Sequence, residues 1–241
     1  MEQYFKGKTV LVTGAGWGVG SATALLFASY GAKVVVSDTS AKGGRNLAAK
    51  IRGQRGEATF IRTNVSSSSE CEKLIKKTIE TYGSIDIACN NSGIFSKHAH
   101  SLYMNAPDNE VRLDLNGLSY CMKYEIEAMQ KQGAGVIINM AFEVGAKGLA
   151  SFDPNISVKY GIDQLTQNIP AEFSVGGIRV NAITSAFINT VLFQETKLTR
   201  KGTQVKLSAM GRVAKMEKVA RLVLWLSSDE RLLPTVLNVD N

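Results

Sequence analysis

The chain has 241 residues, which fits one α/β domain and suffices to bury a large core without disulfide or metal staples. Hydrophobic residues make up 44% and charged residues 20%, which excludes a disordered chain, and no apolar run reaches the roughly 18 residues of a membrane span. The net charge of +7 is scattered except for a basic stretch between Lys197 and Arg221, so a solvated surface is expected rather than nucleic-acid binding, with a basic lid over an anionic ligand as the alternative.

Residues 1–8 carry no long apolar segment, so no signal peptide is expected. Residues 9–13 read as a short buried strand, and 21–30 as a helix stopped by Gly31. A second strand at 34–37, a helix at 46–52 and a third strand at 59–63 follow. The serines at 66–69 read as the N-cap region of a charged helix, 70–82, which Gly83 ends. Next come a fourth strand at 85–90, a long helix at 109–130, a fifth strand at 135–140 and a helix at 156–173. A sixth strand at 178–183, a helix at 219–227 and a short strand at 236–239 close the chain. Unbroken apolar strands alternating with helices predict a single-domain Rossmann fold, with a doubly wound, parallel, seven-stranded sheet covered by helices on both faces. No linker or repeat divides it, so residues 1–241 read as one domain, and the weakly periodic residues from about 187 to 211 as a candidate lid. Cys71, Cys89 and Cys121 form no Cys-x-x-Cys pair, and reduced thiols in a cytoplasmic protein are the expectation.

Between the first strand and the first helix stands Thr13-Gly14-Ala15-Gly16-Trp17-Gly18-Val19-Gly20. Glycines in that context permit a tight turn and let backbone N–H groups approach a pyrophosphate at a helix N-terminus. The second strand ends in Asp38, 18 residues beyond Gly20. A carboxylate there accepts both hydroxyls of an adenosine ribose and repels a 2′-phosphate. Trp17 occupies a position where a basic residue would hold that phosphate. Both features favour NAD over NADP. A plainer role for Asp38, capping the helix that follows, is compatible with this one.

Several motifs in register then resemble the short-chain dehydrogenase/reductase family across essentially the whole chain. They are Thr13-Gly14-x-x-x-Gly18-x-Gly20, Asn90-Asn91-Ser92-Gly93, Lys159-Tyr160-Gly161 and Ile178-Arg179-Val180-Asn181-Ala182. The resemblance implies a cofactor pocket formed by Gly14, Trp17, Gly18, Val19, Asp38, Asn64, Val65, Asn91, Ser92, Gly93, Lys159, Ile188 and Thr190. Asn64 replaces the usual aspartate near the adenine, keeping a carbonyl acceptor and adding a donor. The resemblance also implies a homodimer or homotetramer formed through the two long helices, and an unspecified small-molecule substrate or ligand.

Four catalytic side chains are implied as well: a tyrosine acid/base, a lysine one turn later that lowers its pKa, a serine that holds the substrate oxygen, and an asparagine in the long helix. Lys159 fixes the register. The tyrosine position then reads Asn155, the serine position Phe142 and the asparagine position Asp114. An asparagine amide does not exchange protons near neutral pH, and a phenylalanine cannot polarise a carbonyl. Tyr160 lies about 100° around the helix from Lys159 and does not restore the pair. Pro170 falls inside the predicted Lys159 helix, and Ser185-Ala186 stands for the family's Pro-Gly. His98-x-His100 lacks a third ligand nearby in sequence, so no metal site is expected. Three readings stay open: an NAD-binding protein with little or no dehydrogenase activity, an enzyme of altered, non-redox chemistry such as isomerisation or cyclisation, and a dehydrogenase with residual activity from Lys159 and positioning alone. Asp114, Glu143, Asp153 and Lys159 are the ionisable residues available to the second.

Overall fold

A computed structural model describes residues 3–92, 109–142, 161–162, 164–166, 177–185, 214–228 and 236–239, with the backbone alone at 109–114, 142, 185 and 236–239. The strands are β1 (Thr9–Val12), β2 (Lys33–Asp38), β3 (Glu57–Arg62), β4 (Ile87–Asn90), β5 (Gly135–Phe142), β6 (Ile178–Ser185) and β7 (Val236–Val239). The described helices are α1 (Gly18–Ser29), α2 (Ala41–Gly53), α3 (Ser68–Tyr82), α4 (Asn109–Gln132) and α5 (Met216–Leu226). Residues 161–162 and 164–166 are also helical, within the predicted 156–173 segment. The seven strands form one parallel sheet in the order β3-β2-β1-β4-β5-β6-β7, the doubly wound topology expected.

Side chains alternate between two apolar layers because successive strand residues point to opposite faces. Val10, Val12, Val34 and Val36 face one layer with Phe27 of α1, Leu47 and Ile51 of α2, and Val219 and Val223 of α5. Leu11, Val35 and Ile137 face the other, with Leu74 of α3, Met122 and Met129 of α4, and Ile162. Both faces of the central strands are buried, which is why they read as unbroken apolar runs. Each fully buried apolar side chain contributes about 1.5–3 kcal/mol relative to exposure.

Helix ends differ from the expected ones for local reasons. α2 starts at Ala41 rather than 46, because the Ser40 hydroxyl accepts the Gly43 N–H at 3.2 Å and opens the helix early. Gly43 and Gly44 look like loop residues, yet both lie in α2. A Cβ at Gly44 would come 2.0 Å from the Phe60 ring, so this glycine lets helix and strand pack closely. In α3 the cap is Ser67, within the predicted serine cluster, and Gly83 ends the helix at φ +88°. β5 and β6 each run two residues further than expected, to Phe142 and Ser185, and these two residues pair with each other. The predicted lid at 187–211 lies outside the described residues. Among the described residues no helix is long and apolar enough to cross a membrane.

The two ends of α2 give opposite expectations for one substitution. Gly53→Ala, where a Cβ meets nothing within 4 Å, should stabilise the protein by about 0.5–1 kcal/mol. Gly44→Ala should destabilise it by about 1–3 kcal/mol through overpacking against Phe60. Urea unfolding of the two variants checks the contrast.

Candidate functional site

The chain reverses its direction of growth across the sheet between β1 and β4, the switch point where open α/β sheets bind ligands at the C-terminal ends of their strands. The turn from Thr13 to Gly20 lies there. Thr13 ties it to the end of β4: its hydroxyl accepts N–H bonds from Asn91 at 3.1 Å and Ser92 at 3.2 Å. In return the Asn91 amide donates to the carbonyls of Thr13 at 3.3 Å and Gly14 at 3.0 Å. The two backbones touch. A Cβ at Gly14 would stand 2.9 Å from the Ser92 Cα, and one at Gly20 would stand 2.5 Å from the Gly14 carbonyl oxygen. Gly14 and Gly18 hold φ of +60° and +62°, which L side chains rarely adopt.

α1 opens from this turn with no side-chain cap and no acidic residue in its first turn. An uncapped, glycine-built N-terminus leaves backbone donors and the positive end of the helix dipole for an anion. Trp17 is exposed beside it, whereas Val19 is buried in the core layer with Phe27, so Val19 offers the site its backbone only.

Asp38 is buried at the end of β2, and both of its oxygens are engaged. Oδ2 accepts the Gly16 N–H at 2.8 Å, and Oδ1 accepts the Ser40 N–H at 2.7 Å. The α2 cap is therefore Ser40, not Asp38, and Asp38 instead clamps the glycine turn to the β2–α2 loop. A Cβ at Gly16 would come 2.8 Å from Oδ2, so the clamp requires that glycine. Asn64 is exposed at the end of the next strand, with its Oδ1 accepting the Ser66 N–H at 3.1 Å. The acceptor that the aspartate-to-asparagine change preserves is thus used by its own loop. Val65 lies under α4, where a Cβ on Gly117 would meet its Cγ2 at 3.1 Å.

Beneath the site runs a polar network that the sequence reading did not single out. Glu125 of α4 is fully buried. Asn90 Nδ2 donates to Glu125 Oε2 at 2.9 Å and to Asn139 Oδ1 at 3.1 Å. Asn139 Nδ2 donates to the Thr166 hydroxyl at 3.0 Å and to Met122 Sδ at 3.2 Å. Burial pushes the Glu125 carboxyl up to about 7, against the lowering effect of the Asn90 hydrogen bond. The signal in the sequence was a glutamate inside the apolar stripe of α4 set by Leu118, Met122 and Met129.

Gly14, Trp17, Asn64, Val65, Asn91 and Ser92 lie on loops that follow β1, β3 and β4, Asp38 is the last residue of β2, and Gly18 and Val19 open α1. The backbone at Phe142 ends β5 at this same edge of the sheet, and that of Asp114 lies in the N-terminal part of α4. Gly93, Asn155, Lys159, Ile188 and Thr190 lie outside the described residues, as do His98, His100 and Pro170.

The family model described as enoyl-(acyl carrier protein) reductase matches residues 14–239. A short-chain dehydrogenase/reductase of Aspergillus oryzae is 37% identical over 95% of this chain and 91% of its own length. A cyclohexanol dehydrogenase of an Acinetobacter species is 31% identical, over 95% of this chain and 91% of that protein. Among solved structures, that of a levodione reductase superposes with a TM-score of 0.88 at 27% identity, covering 98% of this chain and 97% of the other.

Two measurements follow from this geometry. Asp38→Ala removes the acceptor of two backbone N–H groups and should cost about 2–3 kcal/mol of stability in urea unfolding, apart from any effect on binding. Glu125 is raised in the folded state from 4.5 to about 7, so the stability it contributes is fully present below pH 4.5 and is lost as pH rises to about 7. The loss amounts to about 3 kcal/mol. Glu125→Gln should abolish that slope, leaving the variant more stable than the parent at pH 8.

Proposed function

The chain belongs to the short-chain dehydrogenase/reductase family of oxidoreductases, which bind a nicotinamide dinucleotide, and from that premise we propose that it binds NAD(H) in preference to NADP(H) and carries out little or no ordinary dehydrogenase turnover. The observation that carries the cofactor half is Asp38, a buried carboxylate held by two backbone N–H groups beside an uncapped glycine turn. The residues fit a dinucleotide. Gly14, Gly18 and Val19 hold its pyrophosphate through the backbone, Asp38 holds the adenosine ribose, and Asn64 and Val65 flank the adenine. Asn91 and Ser92 line the middle of the pocket, and the family resemblance assigns Gly93, Lys159, Ile188 and Thr190 to the same cofactor. Trp17 brings no cation to a 2′-phosphate.

When bound, the dinucleotide supplies the hydride donor or acceptor. The chain must supply a proton donor or acceptor and a group to hold the substrate oxygen. Phe142, Asn155 and Asp114 at the family's serine, tyrosine and asparagine positions supply neither in the usual way, and only Lys159 is kept. A positioned acid/base is worth 10²–10⁴-fold, or about 3–5 kcal/mol of barrier. The names of the relatives favour a second reading, an active oxidoreductase on a small alcohol or ketone in which another ionisable residue has taken over the proton. The basic stretch at 197–221, within and beyond the 187–211 lid, would then face an anionic substrate. The buried free thiols of Cys71, Cys89 and Cys121 support a cytoplasmic setting. A homodimer or homotetramer through α4 and the 156–173 segment completes the proposal, and light scattering at micromolar concentration tests it, a monomer ruling it out.

Calorimetry should show NADH binding more tightly than NADPH. Asp38→Asn, which removes the charge but keeps one acceptor oxygen, should narrow the gap, and tighter NADPH binding by the parent protein would refute the preference. Turnover of alcohols with NAD should be negligible in the parent and should rise only when Phe142→Ser, Asn155→Tyr and Asp114→Asn are combined, because such groups act as a unit. Parent turnover near 1 s⁻¹, about the low end for enzymes, would instead establish the second reading.

A further inference from the structure

Glu125 lies inside the α4 face of the core, with no cation paired to it among the described residues. Among the described residues its one hydrogen bond is from Asn90, the last residue of β4. The next residue, Asn91, is the one whose amide clamps the carbonyls of Thr13 and Gly14. A continuous line of contacts thus runs from a carboxyl in the core to the glycine turn. A branch runs through Asn139 to Thr166, seven residues beyond Lys159 in the chain. We propose that Glu125 is a titratable positioning residue for the dinucleotide site, whose protonated form holds the end of β4, and with it the Thr13–Gly14 turn, in the binding geometry. This rests on the dinucleotide reading above.

The orphaned atoms give the line its sense. Glu125 Oε1 and Asn90 Oδ1 are both buried without a partner among the described residues. With Glu125 ionised they are two buried acceptors, and the carboxylate carries an unpaired charge, the costliest group to bury. A proton on Glu125 weakens the Asn90 bond to Oε2 but removes the buried charge and turns one acceptor into a donor. Among the described residues the other titratable groups around it are Cys89 of β4 and Cys121 of α4. Burial first, and Glu125 second, pushes the Cys89 thiol up; hydrogen bonding to Cys71 of α3 is the foremost cause for Cys121. Both thiols remain neutral and offer no compensating charge. Burial sets Glu125 itself at about 7, so the change falls within the physiological range.

Linkage is reciprocal, so a dinucleotide that prefers the protonated form must raise proton occupancy at Glu125 when it binds. NADH titrated by calorimetry at pH 7 in buffers of different ionisation enthalpy should show proton uptake, and its affinity should fall by about fivefold or more between pH 6 and pH 8. Glu125→Gln, which keeps the shape and the acceptor for Asn90, should abolish the uptake and bind at pH 8 as the parent does at pH 6. Uptake and pH dependence that persist in Glu125→Gln would overturn the proposal. A readout without cofactor separates it from the dinucleotide reading. At pH 8 the amides of residues 13–20 should exchange hydrogen faster in the parent than in Glu125→Gln, with no difference at pH 6. Equal exchange at both pH values would overturn the proposal even if NADH binds. The expected exchange difference with no NADH or NADPH binding would uphold the positioning link and remove the dinucleotide reading alone.

Discussion

The structure depends on one close approach, that of the β1 end to the β4 end. Thr13 and Gly14 lie against Asn91 and Ser92 at a distance no side chain at position 14 would allow. Four hydrogen bonds between Thr13, Gly14, Asn91 and Ser92 hold the contact. The parallel sheet makes it possible, because β1 and β4 are neighbours although about 75 residues separate them in the chain. Once the turn is fixed there, α1 must open with its amides toward the switch point, and Asp38 can reach Gly16 from the next strand.

Below this contact the core is not purely apolar. Asn90, Asn139, Thr166 and Glu125 form a chain of side-chain hydrogen bonds across β4, β5, α4 and the 164–166 helical turn. Such a network is costly to bury, and its directional bonds specify one arrangement where apolar contacts would tolerate several. It therefore does two things at once: it fixes how β4 and β5 sit under the helices, and it places a titratable group directly behind the residues that close the glycine turn.

The two halves of the site respond differently to sequence change. The dinucleotide half is built from backbone: glycines, strand ends and a helix N-terminus, with Asp38 and Asn91 as braces. Altering it alters the fold. The catalytic half, as proposed, rests on the identity of side chains at single positions. On the proposed reading, Phe142 and Asn155 stand where the family has a serine and a tyrosine, while the glycine-turn and Asn-Ser-Gly motifs persist. The same asymmetry explains why relatives named as dehydrogenases share the fold without settling the chemistry of this chain.

The order of strands and helices was legible in the sequence because it follows from periodicity, which is local: unbroken apolar runs for two-sided strands, and helical spacing for α3 and α4. The glycine turn and Asp38 were legible because a strand, a turn and a helix N-terminus follow one another within a few residues. Helix starts were less so. α2 begins at Ala41 because the Ser40 cap and a close packing against Phe60 outweigh the low helix propensity of Gly43 and Gly44. Only the tertiary structure decided what lies across the sheet. Asp38 spends both oxygens on Gly16 and Ser40, Val19 turns into the core, and Glu125 meets Asn90 from 35 residues away. Period and spacing say which face a residue takes on its own element. They do not say which residue of another element it will meet, because that partner is chosen by packing between segments far apart in the chain.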